Sequence, residues 1–340
     1  MKYKSYSRFW MLMLLVGFYS CHTEGQNTGK INGLSFVASS QKISHEEVEV
    51  MVKTHANYAA IMPFAFLQNL NSTAIFFDNP RQWWGEKAEG CAETIRMCHE
   101  KGINVMVKPQ IWVGSGEFTG LIEMKTEDDW LKFEENYSKF ILTFAKIAQE
   151  QQAEMFCIGT ELERFVKHEP VYWSRLIEEI RAVYSGKITY AENWDCFDQP
   201  TFLRELDFVG VDAYFPLTDE KSPSVEQIRA GWQKHLAVME QCYRTTGKQI
   251  LFTECGYRSV DYAGAKPWDY NGENKAVNEE LQARLTEVLF ELWQKEWMAG
   301  GFIWKWFPFH DRAGGPADNQ FSPQNKLAQK TITEFFGQSR

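Results

Sequence analysis

Phe156-Cys157-Ile158-Gly159-Thr160-Glu161-Leu162 and Ile250-Leu251-Phe252-Thr253-Glu254-Cys255-Gly256-Tyr257 are the two stretches that decide the fold. Each is a short apolar run that ends in one glutamate. Both faces of each run are apolar, as expected of parallel strands covered by helices. Side-chain alternation places Glu161 on the face of Met155, Cys157 and Gly159, and Glu254 on the face of Ile250 and Phe252. A carboxylate at the end of a buried strand is costly unless it is paired or solvated in a cleft. The C-terminal strand ends of parallel α/β proteins are where functional side chains emerge.

Outward from these two runs the chain repeats one pattern. Strands are expected at residues 33–38, 58–66, 104–113, 155–161, 187–194, 208–216, 249–257 and 301–307. Helices are expected at 44–55, 87–101, 127–151, 170–184, 201–206, 225–245, 275–297 and 326–336. The third helix carries Trp130, Phe133, Tyr137, Phe140, Ile141, Phe144 and Ile147 at three- and four-residue spacing, a wide apolar stripe. Eight strand–helix units predict an α/β protein, a single-domain (β/α)8 TIM barrel. The structural alternative, a doubly wound open sheet, lacks its glycine-rich phosphate turn after the first strand.

The loops point the same way. Helix-to-strand connections are short, with Gly102, Gly186, Gly247 and Gly300 near the helix ends, where glycine suits a left-handed cap. Several strand-to-helix connections are long, at residues 67–86, 114–126, 258–274 and 308–325. Long loops therefore gather on the C-terminal face, where barrel active sites are built. They carry Trp83, Trp84, Phe118, Tyr262, Trp268 and Tyr270, which as a set read as cleft walls.

Glu161 ends the fourth strand and Glu254 the seventh, 93 residues later, which fits three strand–helix units. Across a closed barrel their side chains can converge above its centre. Glu192 and Asp195, which flank the fifth strand, are weaker acidic candidates; Asp212 is expected to bond inside the barrel and Glu163 to lie in a loop.

The ends and the composition bound the rest. A net charge of -9 disfavours nucleic acid as a partner. Thirteen Trp and 13 Tyr exceed the usual needs of a core, and flat aromatic faces suit sugar rings. Lys2, Lys4 and Arg8 precede an apolar stretch at 9–19 and Ser20-Cys21, the form of a secretory signal. Phe18-Tyr19-Ser20-Cys21 resembles a bacterial lipoprotein box, with Phe18 in place of the usual Leu. The expected organisation is a signal peptide at 1–20, a linker at 21–31 and the barrel domain at 32–340. Cys21 would be the lipidation site of an extracytoplasmic protein, in contact with the membrane through that anchor alone. Cys91 and Cys98 lie two turns apart on one helix, about 10 Å by helical rise, and Cys157 and Cys255 sit in strands. No disulfide framework is expected, and no histidine spacing suggests a metal.

Two carboxylates at facing strand tips are the minimum equipment for cleaving a glycosidic bond. A barrel with glutamates ending strands four and seven resembles clan A of the retaining glycoside hydrolases. More narrowly, Phe156-Cys-Ile-Gly-Thr-Glu161-Leu, Asp212-Ala-Tyr214-Phe-Pro and Phe252-Thr-Glu254-Cys-Gly-Tyr257 resemble glycoside hydrolase family 113, known for β-1,4-mannanases. The resemblance implies Glu161 as acid/base and Glu254 as nucleophile, acting on mannan or manno-oligosaccharides by double displacement; the alternatives are a β-glucanase or other β-glycosidase on the same barrel, or a glycan-binding lipoprotein without catalysis. It implies no cofactor, and a monomer acting on a polysaccharide is expected. Many clan A members carry Asn before the acid/base, where it binds the sugar 2-hydroxyl; here Thr160 stands.

Tyr214, ending strand six, is placed to orient Glu254. Trp304 resembles the clan A tryptophan that floors the subsite beside the cleaved bond, and Trp306 shares its face under alternation. Lys108, Gln110 and Trp112 share a face of strand three, and Asn193 and Trp194 end strand five. Trp112, Lys108, Asn193 and Trp194 are the remaining candidate sugar contacts.

Overall fold

The computed structural model describes residue 1 and residues 29–270 and 276–338. Cys21 and residues 2–20 of the segment read as a signal lie outside the described residues. Eight parallel strands close into a barrel: β1 (Ile31–Phe36), β2 (Tyr58–Ile61), β5 (Asn104–Val107), β7 (Met155–Thr160), β8 (Lys187–Asn193), β9 (Val209–Asp212), β10 (Ile250–Cys255) and β11 (Met298–Trp306). Each barrel strand pairs with the next one in the chain, and β11 closes on β1 through Ile31↔Gly300 to Phe36↔Trp306. The expected (β/α)8 TIM barrel is the observed fold.

The two strands at 58–66 and 104–113 are each broken in two. Beyond the breaks β3 (Phe64–Leu67), β4 (Phe76–Phe77) and β6 (Gln110–Val113) form a separate three-stranded sheet in the order β4-β3-β6. Pro63 and Pro109 cause the breaks. Neither has an N–H to donate to a ladder, and both stand one residue before the register pair Phe64↔Gln110. The side sheet lifts Trp112 clear of the barrel, 54% exposed.

Helices α1 (His45–Lys53), α2 (Ala88–Glu100), α3 (Glu127–Glu150), α5 (Pro170–Val183), α6 (Val225–Thr246), α7 (Glu279–Trp293) and α8 (Leu327–Gln338) surround the barrel. Several of their starts are capped by side chains. Ser44 and Ser224 form capping boxes with Glu47 and Gln227, and Asn278 accepts from the Leu281 N–H. The α3 stripe is buried from Trp130 to Phe144, and Tyr137 meets Trp173 of α5 edge-on at 5.7 Å. A short helix, α4 (Glu163–His168), occupies what the sequence suggested was loop. Between β8 and β9 there is only a 3-10 turn at Leu203–Glu205. Gly102 and Gly247 adopt the expected left-handed conformation, whereas Gly186 does not; a Cβ there would meet the Tyr184 hydroxyl at 2.2 Å.

The barrel interior is a small cluster of Ile31, Ala60, Met106, Met155, Cys157, Ala191, Leu251, Ala299 and Phe302. Such packing makes the barrel centre a solid floor rather than a pore. The carboxylates and the lysine of the barrel mouth lie above it, at the C-terminal strand ends. The six described cysteines are all free and buried. No described helix is long and apolar enough to cross a membrane.

Candidate active site

On the β9–β10 side, Glu254 is buried to 6% exposure and surrounded by donors. Its Oε1 accepts from Lys108 Nζ at 2.5 Å and Gln110 Nε2 at 2.9 Å, and its Oε2 accepts from the Tyr214 hydroxyl at 2.8 Å. Every one of these bonds treats the group as an acceptor, the role of an ionised carboxylate. Lys108 lies just past β5 with its side chain fully buried, and its ammonium also reaches Asp212 at 3.2 and 3.3 Å. Burial works against the charge on Lys108, but the Asp212 and Glu254 carboxylates outweigh it and raise its pKa. Asp212 further accepts from Thr253 Oγ1 at 2.8 Å. Burial and the nearby Glu254 charge nevertheless push Asp212 up to about 7. Gly256 allows the ends of β10 and β11 to touch: a Cβ there would meet the Trp304 carbonyl oxygen at 2.4 Å.

On the β7–β8 side, Glu161 is held by its backbone. It adopts φ +50°, a left-handed conformation uncommon for a residue other than glycine. Its N–H donates to the Ala191 carbonyl at 2.8 Å, and its carbonyl accepts from Thr119 Oγ1 at 3.3 Å. The next N–H, of Leu162, donates to the Tyr190 hydroxyl at 2.8 Å. Tyr190 is in turn hydrogen-bonded to Glu192, which also accepts from the Asn193 N–H at 2.9 Å. The Glu161 carboxyl itself receives no hydrogen bond from the described residues. Burial raises its pKa well above the usual carboxylate range, and the charges of Asp212, Glu254 and Glu192 add to the effect. Glu192, 2% exposed, is pushed up to about 7, chiefly by burial.

One carboxyl is thus fixed as an acceptor and the other favours its proton, the division of roles that acid–base chemistry on a glycosidic bond requires. Tyr214 lies where the sequence reading placed it, on Glu254. Lys108 does not face the cleft: it is sealed beneath Glu254, so the expected sugar contact is replaced by a carboxylate contact. Trp306 is also buried, stacked on His310 at 5.6 Å in the outer core, while Trp304 is half-buried and its peptide bond to Lys305 is cis.

Asn193 uses its Oδ1 to accept from the Trp194 N–H. Trp194 stacks on Trp268 at 5.4 Å, and Trp268 is 42% exposed. Trp83, Phe118, Tyr262 and Tyr270 are exposed as well. The Thr160 hydroxyl is buried without a partner among the described residues. Sequence reasoning missed the Lys108–Asp212 pair and the Tyr190–Glu192 clamp. Gln110 had been placed on the right face, but nothing in the sequence tied it to Glu254.

The model of glycoside hydrolase family 113 matches residues 37–326. A search of the curated proteins found no match. Among solved structures, a family 113 β-mannanase from Alicyclobacillus acidocaldarius superposes with a TM-score of 0.80 at 22% identity, covering 92% of this chain and 98% of that one. A second structure, a complex of a family 113 β-1,4-mannanase, gives 0.79 at 22% identity over 92% and 100%. A β-glucuronidase from Ruminococcus gnavus shares the barrel more distantly, with a TM-score of 0.62 at 11% identity over 91% of this chain and 50% of that one. The family match spans the barrel from the end of its first strand past its last, and the chain belongs to glycoside hydrolase family 113.

Proposed function

We propose that this glycoside hydrolase cleaves β-1,4-mannosidic bonds in mannan or manno-oligosaccharides with retention at the anomeric carbon. Glu254 attacks the anomeric carbon as the bond to the leaving oxygen breaks, and protonated Glu161 gives that oxygen its proton. A water then enters: Glu161 takes its proton as the water oxygen attacks the anomeric carbon, releasing Glu254 and the sugar hemiacetal. Tyr214 and Gln110 orient the nucleophile, and Lys108 balances its charge from below.

The observation that carries this reading is the asymmetry of the two carboxyls: among the described residues, three donors on Glu254 and none on Glu161. Family membership and the mannanase activity of the two family 113 structures support mannan as the substrate. Trp304, Trp112, Trp194 and Asn193 are the proposed sugar contacts. Trp304 would supply the floor next to the cleaved bond, while exposed Trp112 and the Trp194–Trp268 stack would bind flanking sugars.

The same proposal places the enzyme outside the cytoplasm of a bacterium, acting as a monomer and tethered through lipid on Cys21. The basic residues and apolar run ahead of Ser20-Cys21 support this placement. Metabolic labelling with a fatty acid tests it: label should enter the intact chain and be lost in Cys21→Ala.

The enzymatic reading is tested by product analysis on mannan, glucomannan, cellulose and short manno-oligosaccharides. It expects hydrolysis of the mannosidic substrates, with the β-anomer appearing first by NMR. Initial release of the α-anomer would contradict double displacement, and preferential cleavage of cellulose would move the specificity to glucans.

A further inference from the structure

Lys305, next to Trp304 at the end of β11, is half-buried, and its ammonium has no hydrogen-bond acceptor or ion-pair partner among the described residues. The ammonium lies 5.2 Å from the ring centre of Trp304 and 5.2 Å from that of Phe307. Two carboxylates are near enough to act on it, those of Glu254 and Asp318. Both are already engaged. Lys108, Gln110 and Tyr214 hold Glu254, and Lys326 donates to Asp318 at 2.9 Å.

Burial lowers the pKa of Lys305, opposed by Glu254 and Asp318. Aromatic faces attract the cation without satisfying its N–H donors. A partly desolvated ammonium is costly until something supplies oxygen lone pairs. The other buried lysines of this region carry full sets of partners: Lys108 has Glu254 and Asp212, and Lys326 has Asp318, Ser259 and the Gln320 carbonyl.

We propose that Lys305 is a specificity residue of the cleft, donating hydrogen bonds to an oxygen acceptor on the sugar docked at Trp304. This rests on the reading of the barrel mouth as a glycan-cleaving site. An acceptor of that kind can be a ring hydroxyl or the carboxylate of an acidic sugar. In either case, the ammonium reads one substituent of one sugar unit, which a buried structural cation cannot do.

The test compares kcat/KM of wild type, Lys305→Met and Lys305→Arg on manno-oligosaccharides, on their monodeoxy analogues, and on matched pairs of neutral and uronic-acid glycosides. Thermal melting confirms that each variant is folded. Lys305→Met should lose about 10- to 100-fold on the preferred substrate, the range for a hydrogen bond to a charged group, and Lys305→Arg should recover part of that. On the analogue lacking the acceptor, wild type and Lys305→Met should converge to within about twofold, because the lost partner is then missing from both.

Convergence on one monodeoxy sugar identifies a hydroxyl acceptor. Convergence on the neutral member of a uronic-acid pair identifies a carboxylate. An equal loss on every analogue, or no loss on any substrate, overturns the proposal while leaving the enzymatic reading intact. Failure of wild type to hydrolyse any of these glycosides overturns both.

Discussion

The two sides of the barrel mouth hold their glutamates in opposite ways. On the β9–β10 side the side chain is fixed, and Glu254 lies within strand β10, where the pairing register shifts after Phe252. Lys108, Gln110 and Tyr214 grip the Glu254 carboxylate, and Asp212 and Thr253 brace the lysine. On the β7–β8 side the backbone is fixed and the side chain has no donor among the described residues. Glu161 is turned into a left-handed conformation, and its neighbour Leu162 is pinned by Tyr190, which Glu192 engages. Chemically identical groups acquire different tasks because hydrogen-bond donors favour the charged form while burial among acids favours the neutral one.

The largest test of this contrast depends on the leaving group. Glu161→Gln cannot protonate a departing sugar. Its kcat/KM on manno-oligosaccharides should fall by about 10²–10⁴-fold, with a much smaller loss on an aryl mannoside whose leaving group needs no proton. An equal loss on both substrates would remove Glu161 from the acid role. Next is the brace: Lys108→Met strands the buried Asp212 and Glu254 carboxylates together. The expected cost is about 3–5 kcal/mol of stability in denaturant unfolding, and a melting temperature unchanged from wild type would show that the lysine balances nothing.

A smaller effect sharpens the other side. The pKa of Glu192 is raised by folding from the ordinary 4.5 to about 7, so the native state binds more protons than the unfolded chain between those values. Stability present at low pH is therefore lost as pH rises through that window, by about 1–3 kcal/mol for this group. Glu192→Gln should flatten the decline in melting temperature between pH 5 and 8. It should also move the basic limb of the pH–rate profile downward, because one of the charges that raises Glu161 is removed. The same decline in the variant would exclude Glu192 as its source.

The smallest effect concerns Thr160, whose hydroxyl has no partner among the described residues. Thr160→Val should change stability by less than about 1 kcal/mol. A fall in kcat/KM at unchanged stability would assign that hydroxyl to the sugar.

Much of the frame was legible from periodicity. The two glutamate-tipped runs and the α3 stripe reflect local spacing, and local spacing survives into the fold. The reading failed where one residue overrides its neighbours or where partners meet across the barrel. Apolar continuity joined residues 58–66 and 104–113 into single strands, although Pro63 and Pro109 had the chemistry to break them. Lys108 looked like a cleft residue because alternation gives a direction and not a depth; its partners Asp212 and Glu254 come 104 and 146 residues later. Trp306 shared a face with Trp304 only in an idealised strand. Nothing local announced the Tyr190–Leu162 bond or the positive φ of Glu161, since both depend on where β8 lies beside β7.

The division of labour between the two glutamates is tested most directly by trapping the covalent intermediate. The enzyme is incubated with an activated 2-deoxy-2-fluoromannoside, digested, and its peptides mapped by mass. The expected result is stoichiometric inactivation with one fluoromannosyl group on the peptide carrying Glu254, bonded to that residue. A label on Glu161, or inactivation with no labelled carboxylate, would contradict the account.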